Sequence, residues 1–442
     1  MNTLEKIIDC LKSKNLDAYE ILEKKINKIS VEVNKSKVEN FQSSEDYQVS
    51  IRILKNKKIG FSYISDPHIN MKEIEEIINL TISSLNNIDK DKYYHINEEK
   101  DIINKKLINN DIDSLSLEKM IEYSKIMEDC AYNFDKRIKV VKNSGLKKGS
   151  LHVNYLNSRG ANKSYKTNFL AASILTVAES NNESYMGYES VFSKNFDINF
   201  KEIAESASQK AVRMFGARKG QSMSVPVIFE NELVCDILSL LSSSFFLENI
   251  DKNKSLFFSN KLGDKVGNEL VTLVDDGVTP NLNGSAPFDD EGVQTSKKEL
   301  LKNGILLNYL NNQYYSKKFN EKPTGNGFKP SFKAQPAISI TNLILEKGKK
   351  SLDEGLKSIK NGLYITNLMG LHMANPISGD FSLGAEGIIV ENGFLTTPIK
   401  EIVISGNLKD ILQNTKYIYN NVKTSGVIYA PSILVEGLNI SG

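Results

Sequence analysis

The 442-residue chain has no tryptophan, three cysteines, four histidines and ten prolines. Each scarcity closes off a class of chemistry. Cys10, Cys130 and Cys235 are far apart and odd in number, so neither a disulfide framework nor a C-x-x-C metal pair can be drawn. A reducing, cytoplasmic setting is the expectation. None of His68, His95, His152 and His372 is followed by Glu, and no two lie four residues apart, which excludes a locally built H-E-x-x-H zinc site. There is no G-x-S-x-G, hence no support for an α/β-hydrolase nucleophile elbow. Long apolar runs are missing too. The longest, residues 233–247, carries Asp236 and a run of three serines and falls short of the ~20 residues a membrane span requires. The N-terminus has no apolar core of a signal peptide. No membrane partner is expected. Nor does one sign of charge prevail: 56 Lys and Arg against 54 Asp and Glu leave +2, which argues against a nucleic-acid partner.

Glycine and proline are scarce only in the first half. Residues 1–220 hold 7 Gly and 1 Pro, and residues 221–442 hold 20 Gly and 9 Pro. Long regular elements are therefore expected first and many turns later. The main boundary falls in the basic connector at 216–224, giving an N-terminal unit at 1–112 with a polar linker from 88 to 113, a central unit at 113–220, and a C-terminal domain at 221–442. In the first half, alternation predicts strands at 19–33, 47–54, 58–64, 139–141, 152–157 and 165–177. Helices are expected at 4–11, from Asn70 onward where Asn70 and Glu73 form a capping-box pattern, at 117–132 and at 200–214. The second half opens with a strand at 225–229. An apolar helix follows, with Val234, Ile237, Leu238, Leu241 and Phe245 on one stripe. Short strands broken by Asn-Gly pairs at Asn283, Asn303, Asn361 and Asn392 come next, with one more helix at 352–359. The fold class read from this is α+β: two α+β units with antiparallel strands, then a β-rich domain around a buried apolar helix.

The densest chemistry lies at 375–393, where glycines at 379, 384, 387 and 393 bracket Ser378, Asp380, Ser382 and Glu386. Glycine at such spacing marks a site shaped by backbone. Asp289, Asp290 and Glu291 stand in a row before Gly292. They suit either a divalent cation or, more simply, a solvated turn. Pro323 to Pro330 imitates the start of a dinucleotide loop, but Pro330 replaces the third glycine and no strand-to-helix context surrounds it, so a polar loop is the simpler reading. His372 is the one candidate acid or base near the glycine cluster, and Cys235 on the apolar helix reads as a packed hydrophobe.

The order of these motifs is specific. Leu247-Glu248, then 288–292, Thr324-Gly325-Asn326-Gly327, Ser378-Gly379-Asp380-Phe381-Ser382, 391–393, 405–408 and 430–437 together resemble the TldD/PmbA family, also called modulators of DNA gyrase. The resemblance is strong over 225–442 and weak before it. It implies a two-branch system, in which the TldD branch carries H-E-x-x-x-H and a late cysteine as a metallopeptidase site. Anchored on Leu247-Glu248, those motif positions fall here on Leu240, Leu241 and Phe245, and 424–431 holds no cysteine. The chain thus looks like a PmbA (TldE) member. The resemblance implies no catalytic residue and no metal in this chain, zinc in a TldD-like partner of a heterodimer, and homodimers possible in isolation. It also implies an unfolded or extended peptide as substrate, bound by Thr324, Gly325, Asn326, Gly327, Ser378, Gly379, Asp380 and Ser382. Two alternatives stay open: a stand-alone hydrolase using His372 or the acids at 289–291, and a non-enzymatic interaction protein such as a gyrase modulator.

Overall fold

A computed structural model describes residues 2–442. The N-terminal half is one sheet. Its strands are β1 (Ala18–Asn34), β2 (Lys37–Lys55), β3 (Lys58–Ile64), β4 (Ile102–Leu107), β5 (Ile138–Asn157), β6 (Asn162–Ser180) and β7 (Glu183–Ser193). They run in the order β3-β2-β1-β5-β6-β4, with β7 also on β6. Because β1 pairs β5 from Glu20↔Asn157 to Val33↔Ser144, the two N-terminal units share one sheet. Three tight hairpins turn on consecutive left-handed residues without glycine: Lys35-Ser36, Asn56-Lys57 and Asn181-Asn182. Left-handed pairs match the twist of the flanking strands.

Side chains alternate across β1. Its odd residues, among them Ile21 and Val31, face the helices. Ile21 packs with α1 (Thr3–Lys12) and α2 (Met71–Ser84), and Val31 with α4 (Leu117–Phe134) and α5 (Phe200–Val212). Capping boxes at Asn2/Glu5 and Asn70/Glu73 start α1 and α2. The even residues, Glu20, Leu22 and Lys24, face the C-terminal domain.

Residues 88–113 are not a bare linker. They contain β4, parallel to 162–167 of β6, and all but the last residue of the short helix α3 (Asn110–Ser114). β4 is concealed because its residues, Ile-Ile-Asn-Lys-Lys-Leu, do not alternate and this edge strand buries almost nothing. Gly145 and Gly149 likewise disguise β5, which is continuous where two separate strands were expected.

The C-terminal domain packs two sheets around helix α6 (Asn231–Ser242). The larger has eight strands, with Val227–Phe229, Asn361–Met369, Asp380–Glu391 and Phe394–Asn407 adjacent in that order. The smaller has six and ends on the edge strand Lys423–Ser425. Asn303-Gly304 and Asn392-Gly393 make left-handed hairpin turns, whereas Asn361 begins a strand. The fold is α+β.

Candidate functional site

Three places were marked by the sequence: the stripe of α6, the acids at 289–291 and the two glycine loops. On α6, Leu241 is 1% exposed and Leu240 packs against the same core. Phe245 is fully buried one turn on, its ring 5.2 Å from that of Phe257. None of the three carries a lone pair that could ligate a metal or take a proton. The metal site named by the resemblance does not fit these residues. Among the described residues no group of three His, Cys, Asp or Glu is placed to hold an ion.

The acids correct the expectation of a solvated turn. Asp289, Asp290 and Glu291 are all nearly inaccessible. Asp289 accepts the N–H groups of Glu291 and Val293 at 2.9 Å and that of Gly327 at 2.8 Å. Asp290 pairs with Lys24 Nζ at 2.8 Å and accepts the Lys329 N–H. Glu291 pairs with Arg52 at 2.9 Å and accepts the Gln313 N–H. Arg52 also bonds Glu20 at 2.6 Å, and Glu20 accepts the Tyr155 hydroxyl at 2.9 Å. Burial works against the Arg52 guanidinium, but Glu20 and Glu291 more than offset it and hold the group charged. Burial pushes Asp289 and Glu291 upward, and Asp289 also feels the charge of Glu291. With every oxygen directed at a partner, the row is a clasp between the N-terminal sheet and the C-terminal domain rather than an open ligand set. Reading the sequence did not find the clasp's other half. Its signal was Glu20 and Arg52, charged residues of β1 and β2 flanked by apolar neighbours, whereas Lys24 stands between Glu23 and Lys25 and gave none.

The 324–327 loop belongs to this clasp. Thr324 exchanges three hydrogen bonds of 2.9 Å with Asn311. Gly325 has φ +72°, and a Cβ there would lie 2.5 Å from the Gln294 carbonyl oxygen, so only glycine fits. Asn326 is fully buried, donating to Asp275 and Ser339 and accepting from Lys298. Gly327 gives its N–H to Asp289.

The 378–382 loop is different, since Ser378, Asp380 and Ser382 are exposed. Asn375 Oδ1 accepts the N–H groups of Ile377 and Ser378, and Asn407 Nδ2 bridges the Ser378 carbonyl and Asp380 at 2.9 and 2.8 Å. Hydrogen bonds from Asn407 and Ser378 lower the Asp380 carboxyl below its ordinary range. Gly379 has φ +87°, and a Cβ would meet Asn407 Oδ1 at 2.6 Å. Beyond the loop, Ser382 lies opposite Ser405, and Gly384 lies between Met369 and Val403 on the outward face of the large sheet. Met369, Met373, Ile377 and Val403 are exposed there. His372 is exposed on the short turn 371–373. No hydrogen bond joins the two glycine loops among the described residues. One is internal framework and the other is surface.

Family descriptions match over most of the molecule: PmbA/TldA metallopeptidase domain 1 at 19–84, its central domain at 110–215 and its C-terminal domain at 222–442. The chain belongs to the PmbA/TldD family. Metalloprotease PmbA of Escherichia coli O157:H7 is 27% identical over 449 residues, covering 98% of this chain and 94% of its own. A metalloprotease TldD homolog of Buchnera aphidicola is 29% identical over 271 residues, 57% of this chain and 56% of its own. A Thermotoga maritima structure, named as a candidate modulator of a DNA gyrase, superposes with TM-score 0.87 at 29% identity over 99% of this chain and 100% of that one. TldE from Thermococcus kodakarensis shares the fold, with TM-score 0.86 at 22% identity over 99% of each chain. No helix among the described residues is long and apolar enough to cross a membrane.

Proposed function

We propose that this PmbA/TldD-family chain is the non-catalytic subunit of a two-subunit cytoplasmic metallopeptidase acting on unfolded or extended peptides. A TldD-like partner supplies zinc and the catalytic groups. The observation that carries the reading is the substitution of core residues, Leu240, Leu241 and Phe245, into a family fold that is otherwise complete. A helix that has exchanged ligands for packing keeps its structural role and loses its chemistry. The exposed Ser378, Asp380 and Ser382 then form the substrate-facing wall, while Thr324 to Gly327 serve the internal clasp that holds the two halves together. Three unpaired cysteines support a reducing location.

The test is co-expression with the TldD-like protein of the same organism. Cleavage of a casein-derived peptide is expected only from the mixed complex, and chelator is expected to abolish it. Cleavage by this chain alone would return the stand-alone hydrolase. Full cleavage by the partner alone would remove the subunit role.

A further inference from the structure

The helices cover the two ends of the N-terminal sheet and leave its middle open. Ile21 lies under α1 and α2, Val31 lies under α4 and α5, and Lys25 and Asn27 between them are exposed. A groove of about 550 Å³ beside α1 reaches Glu23, Lys25 and Tyr47, and one of about 140 Å³ beside α3 reaches Asn27, Ser150 and Asn168. This open strip is on the face turned away from the C-terminal domain.

One row of the strip is wholly basic. Lys25 of β1 lies opposite His152 of β5, His152 opposite Lys166 of β6, and Lys166 opposite Lys106 of β4. Ser164 and Asn104, two residues back on the same strands, share a hydrogen bond of 3.3 Å, so Lys166 and Lys106 project to the same side as each other. Four basic groups thus cross four strands over roughly 14 Å, three inter-strand spacings of ~4.8 Å. Like charges directly opposite on neighbouring strands repel, and three such pairs in succession do nothing for the stability of a sheet.

The fold does little to relieve that repulsion. Lys25 has Glu23 at 3.4 Å, but this carboxylate is buried and also accepts Asn154 Nδ2 at 2.6 Å. Lys106, Lys166 and His152 make no ion pair among the described residues. Glu45 and Asp113 stand only on the borders of the strip, and Asp46 is spent on Lys28 at 2.9 Å. Burial, and then Lys166, lower the His152 imidazole below its ordinary range against the opposing pull of Glu23, as expected beside cations that lack a counter-charge. The flanking rows add polar groups: Asn154, Ser164 and Asn104 on one side, Asn27, Ser150 and Asn168 on the other. Tyr47, at the β2 end of the row, is half-buried with Lys25 Nζ 5.5 Å from its ring centre, so it offers no open face on which a base could stack.

We propose that this row binds a linear condensed phosphate, which lies across the strands with its charges spread over Lys25, His152, Lys166 and Lys106. Phosphate oxygens accept strong charge-assisted hydrogen bonds from ammonium groups, and the amide and hydroxyl groups of the flanking rows serve the oxygens the cations do not reach. A ligand of charge and oxygen alone matches a strip that offers neither stacking rings nor an apolar anchor. Inorganic polyphosphate and the triphosphate tail of a nucleotide carry the same chemistry. The site uses neither the 378–382 loop nor a partner subunit, so it stands or falls apart from the proposed peptidase role.

The test uses the full chain and isothermal titration at low salt with tripolyphosphate, tetrapolyphosphate, ATP and orthophosphate. Saturable binding of the condensed phosphates is expected, tighter for the longer chain. It should weaken roughly tenfold or more when Lys106→Ser and Lys166→Ser are combined, whereas removing two exposed lysines elsewhere, Lys254→Ser with Lys357→Ser, should leave it unaltered. Tighter binding of tripolyphosphate than of ATP assigns the site to the inorganic chain, and the reverse assigns it to the nucleotide tail. Lys106 and Lys166 are exposed, and without ligand the double variant should melt no lower than wild type, because a repulsion has been removed. A lower melting temperature would show that the row is compensated in the free chain and would overturn the premise. Equal binding by that variant, orthophosphate binding as tightly as tetrapolyphosphate, tighter binding of a single-stranded oligonucleotide or an oligoglutamate, or no saturation by about 1 mM would overturn the proposal.

Discussion

Arg52 and Lys194 show two fates of a buried cation in this protein. Arg52 lies between Glu20 and Glu291, and the pairing secures its charge. Lys194 has only the Ser285 carbonyl, at 2.7 Å, and burial pushes its pKa down to about 8. Below that pH the ammonium is charged in both folded and unfolded states, and the cost of burying it is present in full. Between about 8 and the ordinary value of ~10.4, the unfolded chain holds a proton that the folded chain has released, so stability rises with pH across this window. Lys194→Met is therefore expected to stabilise the protein by about 1 kcal/mol at pH 7, once the lost hydrogen bond and residual solvent contact are discounted. The advantage should shrink as pH climbs from 8 to 10. Urea unfolding of both proteins across that range is the check, and a difference independent of pH would show that Lys194 keeps an ordinary pKa. Neither fate was legible in the sequence, because neither an arginine in a half-apolar strand nor a lysine just past the end of β7 shows what faces it until the fold is known.

At the scale of elements, the legible parts were those governed by local rules. The Asn70/Glu73 capping box did open a helix, and the stripe through Leu241 did mark a core helix. What escaped was β4, β7 and the middle of β5, whose pairing is decided by neighbours distant in sequence. The glycine-free hairpin at Asn181-Asn182 gave no usual turn signal. The acidic row at 289–291 was misread as solvated for the same reason, since Lys24 and Arg52, which bury it, lie more than two hundred residues away. Helix α6 gives the sharpest test of the element-level reading. Leu241→Asp places a carboxylate without a partner in the main core and is expected to cost more than ~4 kcal/mol, or to prevent folding. Leu241→Met, near in volume, should cost less than ~1.5 kcal/mol. If the aspartate variant melts within a degree or two of wild type, the helix is not core and the placement of the lost metal motif on it is wrong.

For the whole molecule, the family fold was readable from the order of motifs, but not which motifs are framework and which are surface. Both glycine loops looked equally suited to cradle a peptide, yet Asn326 is fully buried whereas Ser378, Asp380 and Ser382 are open. Hydrogen-bond supply explains the division: the first loop has spent its polar groups on Asp275, Asp289 and Asn311, and the second keeps side chains to spare. This difference refines what substitution should do in the mixed complex. Ser382→Trp adds bulk on an exposed sheet face and should leave the melting temperature of the isolated chain unchanged. If that face borders the shared chamber, peptide cleavage by the complex should fall roughly tenfold or more, as mispositioning of bound substrate commonly does. Gly379→Val acts differently, because its side chain would collide with Asn407 and strain a left-handed residue, so it should lower both cleavage and stability. Comparing the two separates surface from scaffold. Complexes carrying Ser382→Trp that cleave at the wild-type rate would place the peptide elsewhere, whatever Gly379→Val does.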